Sequence, residues 1–311
     1  MRSTHPASVP GVVDLERFAG AQARAEAPAD VLVEVPHGAT TAAHFDALAA
    51  ELVGPFPPDL RAFFFVNTDV GAPETARRFA ARLVEAHPTR VALVARCAIP
   101  RTFVDCNRWV DPDAVGRATA AGEMTPGLAS YVRAPADVAL LRGRHATYRE
   151  TVERLYEATC GAGGSALMLH SYAPRSIDVP VDDRIVERLR DAYRPETVGS
   201  WPLRPEADLI TRTPEGERLA SAALVEATQR ALGAVGVTAQ EGVTYPLHPS
   251  TLGRRLAQRW RGQTLCVELR RDLLADPFDP FAEMRISPAA ADRLGAALAQ
   301  AWGAWWADGA R

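Results

Sequence analysis

Short apolar runs the length of a β-strand alternate along this chain with longer stretches whose apolar residues recur every third or fourth position. The runs are V-L-V-E-V (31–35), A-F-F-F-V-N (62–67), R-V-A-L-V-A-R (90–96), A-L-M-L-H (166–170) and T-L-C-V-E-L (264–269), and turn or polar residues bound each of them. Between them, Ala76, Phe79, Ala80, Leu83 and Val84 share one helical face after Pro73, a residue suited to a first helical turn. Val138, Leu141, His145, Tyr148, Val152 and Leu155 step by three and four and mark a long helix reaching about Thr159. Further helices are expected near 181–194, 214–233, 252–260 and 287–306. Nearly continuous apolar strands must be covered on both faces, so the alternation predicts an α/β domain on a largely parallel or mixed sheet. Residues 1–28 read as an irregular N-terminal arm and 29–311 as a single domain, with 111–135 and 196–213 as long loops inside it.

Composition narrows the function classes. At 311 residues and 47% hydrophobic content the chain can bury a sizeable core, and a net charge of −3 leaves no basic footprint for nucleic acid or an anionic membrane. No apolar run approaches the roughly 20 residues of a membrane-spanning helix. All 35 basic residues are arginine, which excludes lysine Schiff-base chemistry and a P-loop. Cys97, Cys106, Cys160 and Cys266 lie far apart, and no secretory h-region follows Met1, so a cytoplasmic protein with reduced thiols is expected. The glycine run 161–165 follows a helix and precedes a strand, the reverse of a phosphate cradle.

Ligands in open α/β sheets bind beyond the carboxyl ends of the strands. Three runs end there on polar groups: V-E-V-P-H on His37, F-F-F-V-N-T-D on Asp69, and A-L-M-L-H on His170. Two imidazoles and a carboxylate suit zinc and leave a fourth position for water. Taken singly, each histidine reads equally well as a hydrogen-bonded structural residue, and Asp69 as a helix cap. Glu268 sits inside an apolar run, either paired with an arginine or acting as a general base. The segment I-P-R-T-F-V-D-C-N-R (99–108) gathers Arg101, Asp105, Asn107 and Arg108, a set able to recognise an acidic small molecule or to pair internally. His145 lies on an apolar helix stripe, the usual place for a core histidine. Glu34 reads either as an exposed strand residue or as a partner of site residues.

Taken in order, P-H-G (36–38), N-T-D (67–69), P-R-T-F-V-D-C-N-R (100–108), H-A-T-Y (145–148), L-H-S-Y (169–172) and V-E-L-R-R (267–271) resemble the N-formylglutamate amidohydrolase family over roughly residues 30 to 275. The resemblance implies a three-layer α/β/α sandwich on a mixed central sheet, of the phosphorylase/hydrolase-like kind shared with zinc carboxypeptidases and aspartoacylases. It implies hydrolysis of the N-acyl amide of a small acidic amino acid. By the same resemblance His37, Asp69 and His170 hold Zn2+, with Glu74 as the reserve carboxylate. Glu268 is then the general base, assisted by Arg101 and His145, while Asn107 and Arg108 anchor the substrate carboxylate. The family's D-L-N-R reads D-C-N-R here. A zinc carboxypeptidase-like peptidase and a non-catalytic metal- or ligand-binding homologue are the alternatives.

Overall fold

A computed structural model describes residues 7–309 apart from 112–115, 118 and 122. Strands β1 (Val13–Ala19), β2 (Val31–Val35), β3 (Val91–Cys97), β4 (Ser165–Tyr172), β5 (Ala207–Ile210), β6 (Ala239–Glu241) and β7 (Thr264–Arg270) form one seven-stranded sheet in the order β1-β3-β2-β4-β7-β5-β6. The central strands β3, β2, β4 and β7 run parallel. β1 lies antiparallel to β3, β5 lies antiparallel to β7, and β6 runs parallel to β5. The sheet is therefore mixed, and helices cover both of its faces.

Alternation along each strand divides the core in two. Val31, Val33 and Val35 of β2 and Leu265, Val267 and Leu269 of β7 pack with α3 (Ala72–Ala86), α7 (Ala222–Ala234) and α9 (Pro288–Ala307). Leu32 of β2 and Ala166 and Met168 of β4 face the other way, towards α1 (Ala42–Ala49), α2 (Leu60–Asn67), α4 (Pro135–Cys160), α5 (Ile185–Ala192) and α8 (Leu252–Arg259). A short helix, α6 (Pro195–Val198), links α5 to β5. Among the described residues no helix is long and apolar enough to cross a membrane.

Several elements differ from the sequence reading. A-F-F-F-V-N is helix α2, because Leu60, Phe63 and Phe64 fall one helical turn apart and are all buried. A short unbroken apolar run fits either element, and packing decides between them. Val13–Ala19, placed within the irregular arm, is an edge strand whose Asp14 and Glu16 pair with Arg96 and Arg77; its polar, half-exposed residues hide the strand pattern. The 196–213 loop contains α6 and the four-residue β5. Within 111–135, bridges at Val104–Leu128 and Thr119–Val181 tie the chain down, and the residues of that loop at 112–115, 118 and 122 lie outside the described set.

Glu34 is fully buried, not exposed. It faces α4 from the middle of β2, where Tyr148 Oη donates to Oε1 at 2.8 Å and Tyr156 Oη to Oε2 at 2.9 Å. Burial pushes its carboxyl upward, against the downward pull of the two phenol hydroxyls. Tyr156→Phe leaves Oε2 without this donor and should lower the unfolding free energy in urea by about 1–3 kcal/mol. The folded chain also holds the Glu34 proton more tightly than the unfolded chain does. That contribution to stability is complete below the ordinary value of 4.5 and is lost as the pH rises through the higher folded value. The stability of the wild type relative to Glu34→Gln should therefore fall across that interval, and a flat or rising difference would refute the assignment.

Candidate metal centre

The turn after β2 carries the first site residue. Pro36 has no N–H to extend the ladder, and a Cβ on Gly38 would stand 2.3 Å from Arg96 Cγ and 3.1 Å from the Cys97 carbonyl. Only glycine lets the chain pass the end of β3 this closely, and His37 is left at the tip of β2, 4% exposed. Asp69 lies in the short connection between α2 and α3, not at a strand end. Its backbone N–H donates to the His37 carbonyl at 3.4 Å, and Thr68 Oγ1 donates to the Ala39 carbonyl at 2.6 Å. Gly71, at φ +83°, then turns the chain into α3. His170 comes from β4, on the face turned towards α4.

These elements converge on one oxygen. Asp69 Oδ2 lies 3.2 Å from His37 Nδ1 and 2.9 Å from His170 Nδ1. The three residues are buried, and their ligand atoms all lie within 4.8 Å of one another. Burial pushes the Asp69 carboxyl up, but the two histidines outweigh it and hold the group below the usual carboxylate range. Burial lowers His170 in turn, and its bond to Asp69 more than reverses this.

Two nitrogens and one carboxylate oxygen that meet at a single point form a donor set that fits a divalent metal accepting N and O ligands. His37 also has the outer partner such ligands need: its Nε2 lies 2.7 Å from Asp105 Oδ1, so Nδ1 can face a metal while Nε2–H donates to the carboxylate. Asp105 is buried and held well below its ordinary range, because Arg101 and His37 outweigh the opposing effect of burial. The sequence had offered Asp105 only as a mate for an arginine. Arg101 does pair with it, at 2.8 Å, and also reaches Asp69 Oδ1 at 3.7 Å. Arg271 approaches the same Oδ1 at 3.6 Å.

Glu268 is the cross-strand neighbour of His170. Its Oε2 is buried with no hydrogen-bond partner among the described residues, and burial raises its carboxyl above the ordinary range. A half-buried carboxylate with a free oxygen beside two histidines is suited to taking up a proton. Glu74 is exposed in the first turn of α3 and lies outside the cluster.

The D-C-N-R segment divides its labour. The Asn107 side-chain oxygen accepts from the Gly253 N–H at 2.9 Å, which fastens the start of α8 and leaves only the amide NH2 for another partner. Arg108 is half-buried, and its Nε has no hydrogen-bond partner among the described residues. His145 donates from Nε2 to the Arg108 carbonyl at 2.8 Å, so it stands behind this segment and is not brought to the metal-ligand cluster. Arg204, from the segment read as a loop, is stacked between Tyr172 and Tyr245 with its guanidinium carbon 5.1 and 5.5 Å from the ring centres. No spacing motif pointed to Arg204. Two surface cavities, of about 530 and 270 Å3, have none of these residues in their walls.

No protein-family model matches the chain, and no curated protein matches it at a significant level. Solved structures do. The crystal structure of N-formylglutamate amidohydrolase from Ralstonia eutropha JMP134 aligns with a TM-score of 0.56 at 19% identity, over 95% of this chain and 98% of that one. A gene product of Agrobacterium tumefaciens aligns with a TM-score of 0.54 at 16% identity, over 96% of each chain. At these identities the likeness is one of architecture: the chain has the mixed-sheet α/β fold seen in the Ralstonia amidohydrolase.

Proposed function

We propose that the protein is a zinc-dependent hydrolase of linear amides, acting on N-formyl or related N-acyl derivatives of acidic amino acids. The observation that carries this reading is the convergence of His37, Asp69 and His170, whose ligand atoms lie within 4.8 Å of one another and whose Nδ1 atoms approach Asp69 Oδ2 at 3.2 and 2.9 Å, next to a buried Glu268 oxygen with no hydrogen-bond partner among the described residues. A fold shared with an N-formylglutamate amidohydrolase supports it. The four free cysteines suit a reducing, cytoplasmic setting.

Zinc held by His37, Asp69 and His170 would supply a Lewis acid that brings the pKa of water from about 15.7 towards ~7. Glu268 takes the proton of the attacking water and hands it to the departing amine. Its burial favours the protonated form, which suits the second half of that task. Arg101, fixed through Asp105, presents positive charge to the oxyanion that develops on the amide carbonyl. Arg108 pairs with a substrate carboxylate, helped by the Asn107 amide NH2, and this distant grip orients the amide for attack. His145 supports the grip from behind by holding the Arg108 carbonyl.

Elemental analysis of purified protein, with N-formylglutamate and short peptides assayed side by side before and after chelation, tests the reading. Deformylation that chelator removes and Zn2+ restores supports it; metal-free, chelator-insensitive activity, or activity on peptides alone, rejects it. Glu268→Gln should lower kcat by about 10²–10⁴-fold while the metal content stays at the wild-type level. Arg108→Ala should raise KM for an acidic substrate by roughly ten- to a hundredfold, the worth of a charged hydrogen bond, with a smaller effect on kcat.

A further inference from the structure

The two oxygens of Asp69 live in different surroundings. Oδ2 faces the two imidazoles, while Oδ1 faces two guanidinium groups, Arg271 at 3.6 Å and Arg101 at 3.7 Å. Arg271 is the more unusual of the pair: it is 3% exposed, and Asp69 is its one salt-bridge partner among the described residues. Its donors go to backbone carbonyls instead. Nη1 bonds the Val66 carbonyl at 2.5 Å, and Nη2 and Nε bond the Ser171 carbonyl at 3.0 and 3.3 Å. Val66 lies three residues before Asp69, and Ser171 directly follows His170. Ser171 Oγ adds a bond to the Val70 carbonyl at 2.7 Å, so the strand that carries His170 is stapled to the segment that carries Asp69.

We propose that Arg271, with Arg101, is a positioning residue that confines Asp69 to one-oxygen coordination through Oδ2 and so holds the metal at four ligands, one of them water or substrate. This rests on the metal reading above. A carboxylate left to itself can grip a cation with both oxygens, and a chelating Asp69 would add a fifth ligand atom to the three protein ligands and the water or substrate of a catalytic zinc site. To chelate here, the Asp69 carboxylate would have to turn Oδ1 away from two cations inside a buried site, where such contacts are screened least. Arg271 cannot follow it, because backbone carbonyls on two sides fix its guanidinium plane. The site therefore holds its own carboxylate ligand back.

Cobalt(II) reports coordination number directly, since a four-coordinate site gives intense visible d–d bands and a five-coordinate site gives weak ones. The 311-residue chain, stripped of metal and titrated with Co2+, should show the intense bands. Arg271→Met should lose most of that intensity as Oδ1 reaches the metal, whereas Arg271→Lys, which keeps a positive charge, should retain it. Arg101 is part-exposed, so Arg101→Met gives the same reading should Arg271→Met fail to fold. Weak bands in the wild type, or wild-type spectra in every Met variant that folds, overturn the clamp and leave the metal reading intact. Wild-type protein that takes up no Co2+ overturns the metal reading and the clamp together.

Discussion

One buried carboxylate, Asp69, holds the carboxyl end of the sheet together. β4 and the segments that follow β2, β3 and β7 each send a side chain to it: His170, His37, Arg101 and Arg271. Two histidines and two arginines gathered in a dry site would repel one another without an anion among them. A buried charge is tolerated only when it is paired and hydrogen-bonded, so the four cationic or basic partners and the one acid justify each other. Asp105 provides the second negative charge and extends the network to the D-C-N-R segment. The site is a small ionic lattice set into the end of an apolar sheet.

The two faces of the sheet do different jobs. Towards α3, α7 and α9 the packing is apolar, with Phe79 and Trp302 meeting edge to face. Towards α4 and α8 the strands turn Glu34, His170, Cys266 and Glu268 out of the sheet plane. One stripe of α4 answers them, with His145 on the Arg108 carbonyl and Tyr148 and Tyr156 on Glu34. Among the described residues this long helix makes no hydrogen bond to His37, Asp69 or His170, and it supports the site through Glu34 and the Arg108 carbonyl.

How much of this could be read in the sequence depended on whether a residue's partner was local. β2, β4 and β7 were legible because strands buried on both faces leave dense apolar runs, and the alternation in T-L-C-V-E-L assigned its faces correctly. β1, β5 and β6 were not, since edge and short strands carry polar residues that blur the period. A-F-F-F-V-N was misread as a strand. Asp69 was nevertheless picked out, because a helix ending at the same edge of the sheet delivers its carboxylate to the same place. His37, Asp69 and His170 emerged from their residue types at element ends. Asp105 and Arg271 acquire meaning only through partners 68 and 202 positions away, and no local pattern encodes such pairings. His145 reads from its helix stripe as a core histidine and enters the chemistry only through the resemblance of H-A-T-Y; in the structure its ring bonds the Arg108 carbonyl.

Glu34 has a bearing on which structures the chain avoids. Slipping β2 by one residue against its neighbours would carry every side chain of the strand to the opposite face. Glu34 would then meet the apolar packing around Phe79 and Leu83, with neither tyrosine in reach. An unpaired carboxylate there is far more costly than a misplaced valine, so competing alignments of the strand are penalised well beyond what apolar mismatch could achieve. The five residues Val31–Val35 would otherwise be nearly interchangeable in their pairing. A single acid in their midst makes the alignment unique, and the position of His37 three residues on is inherited from that choice.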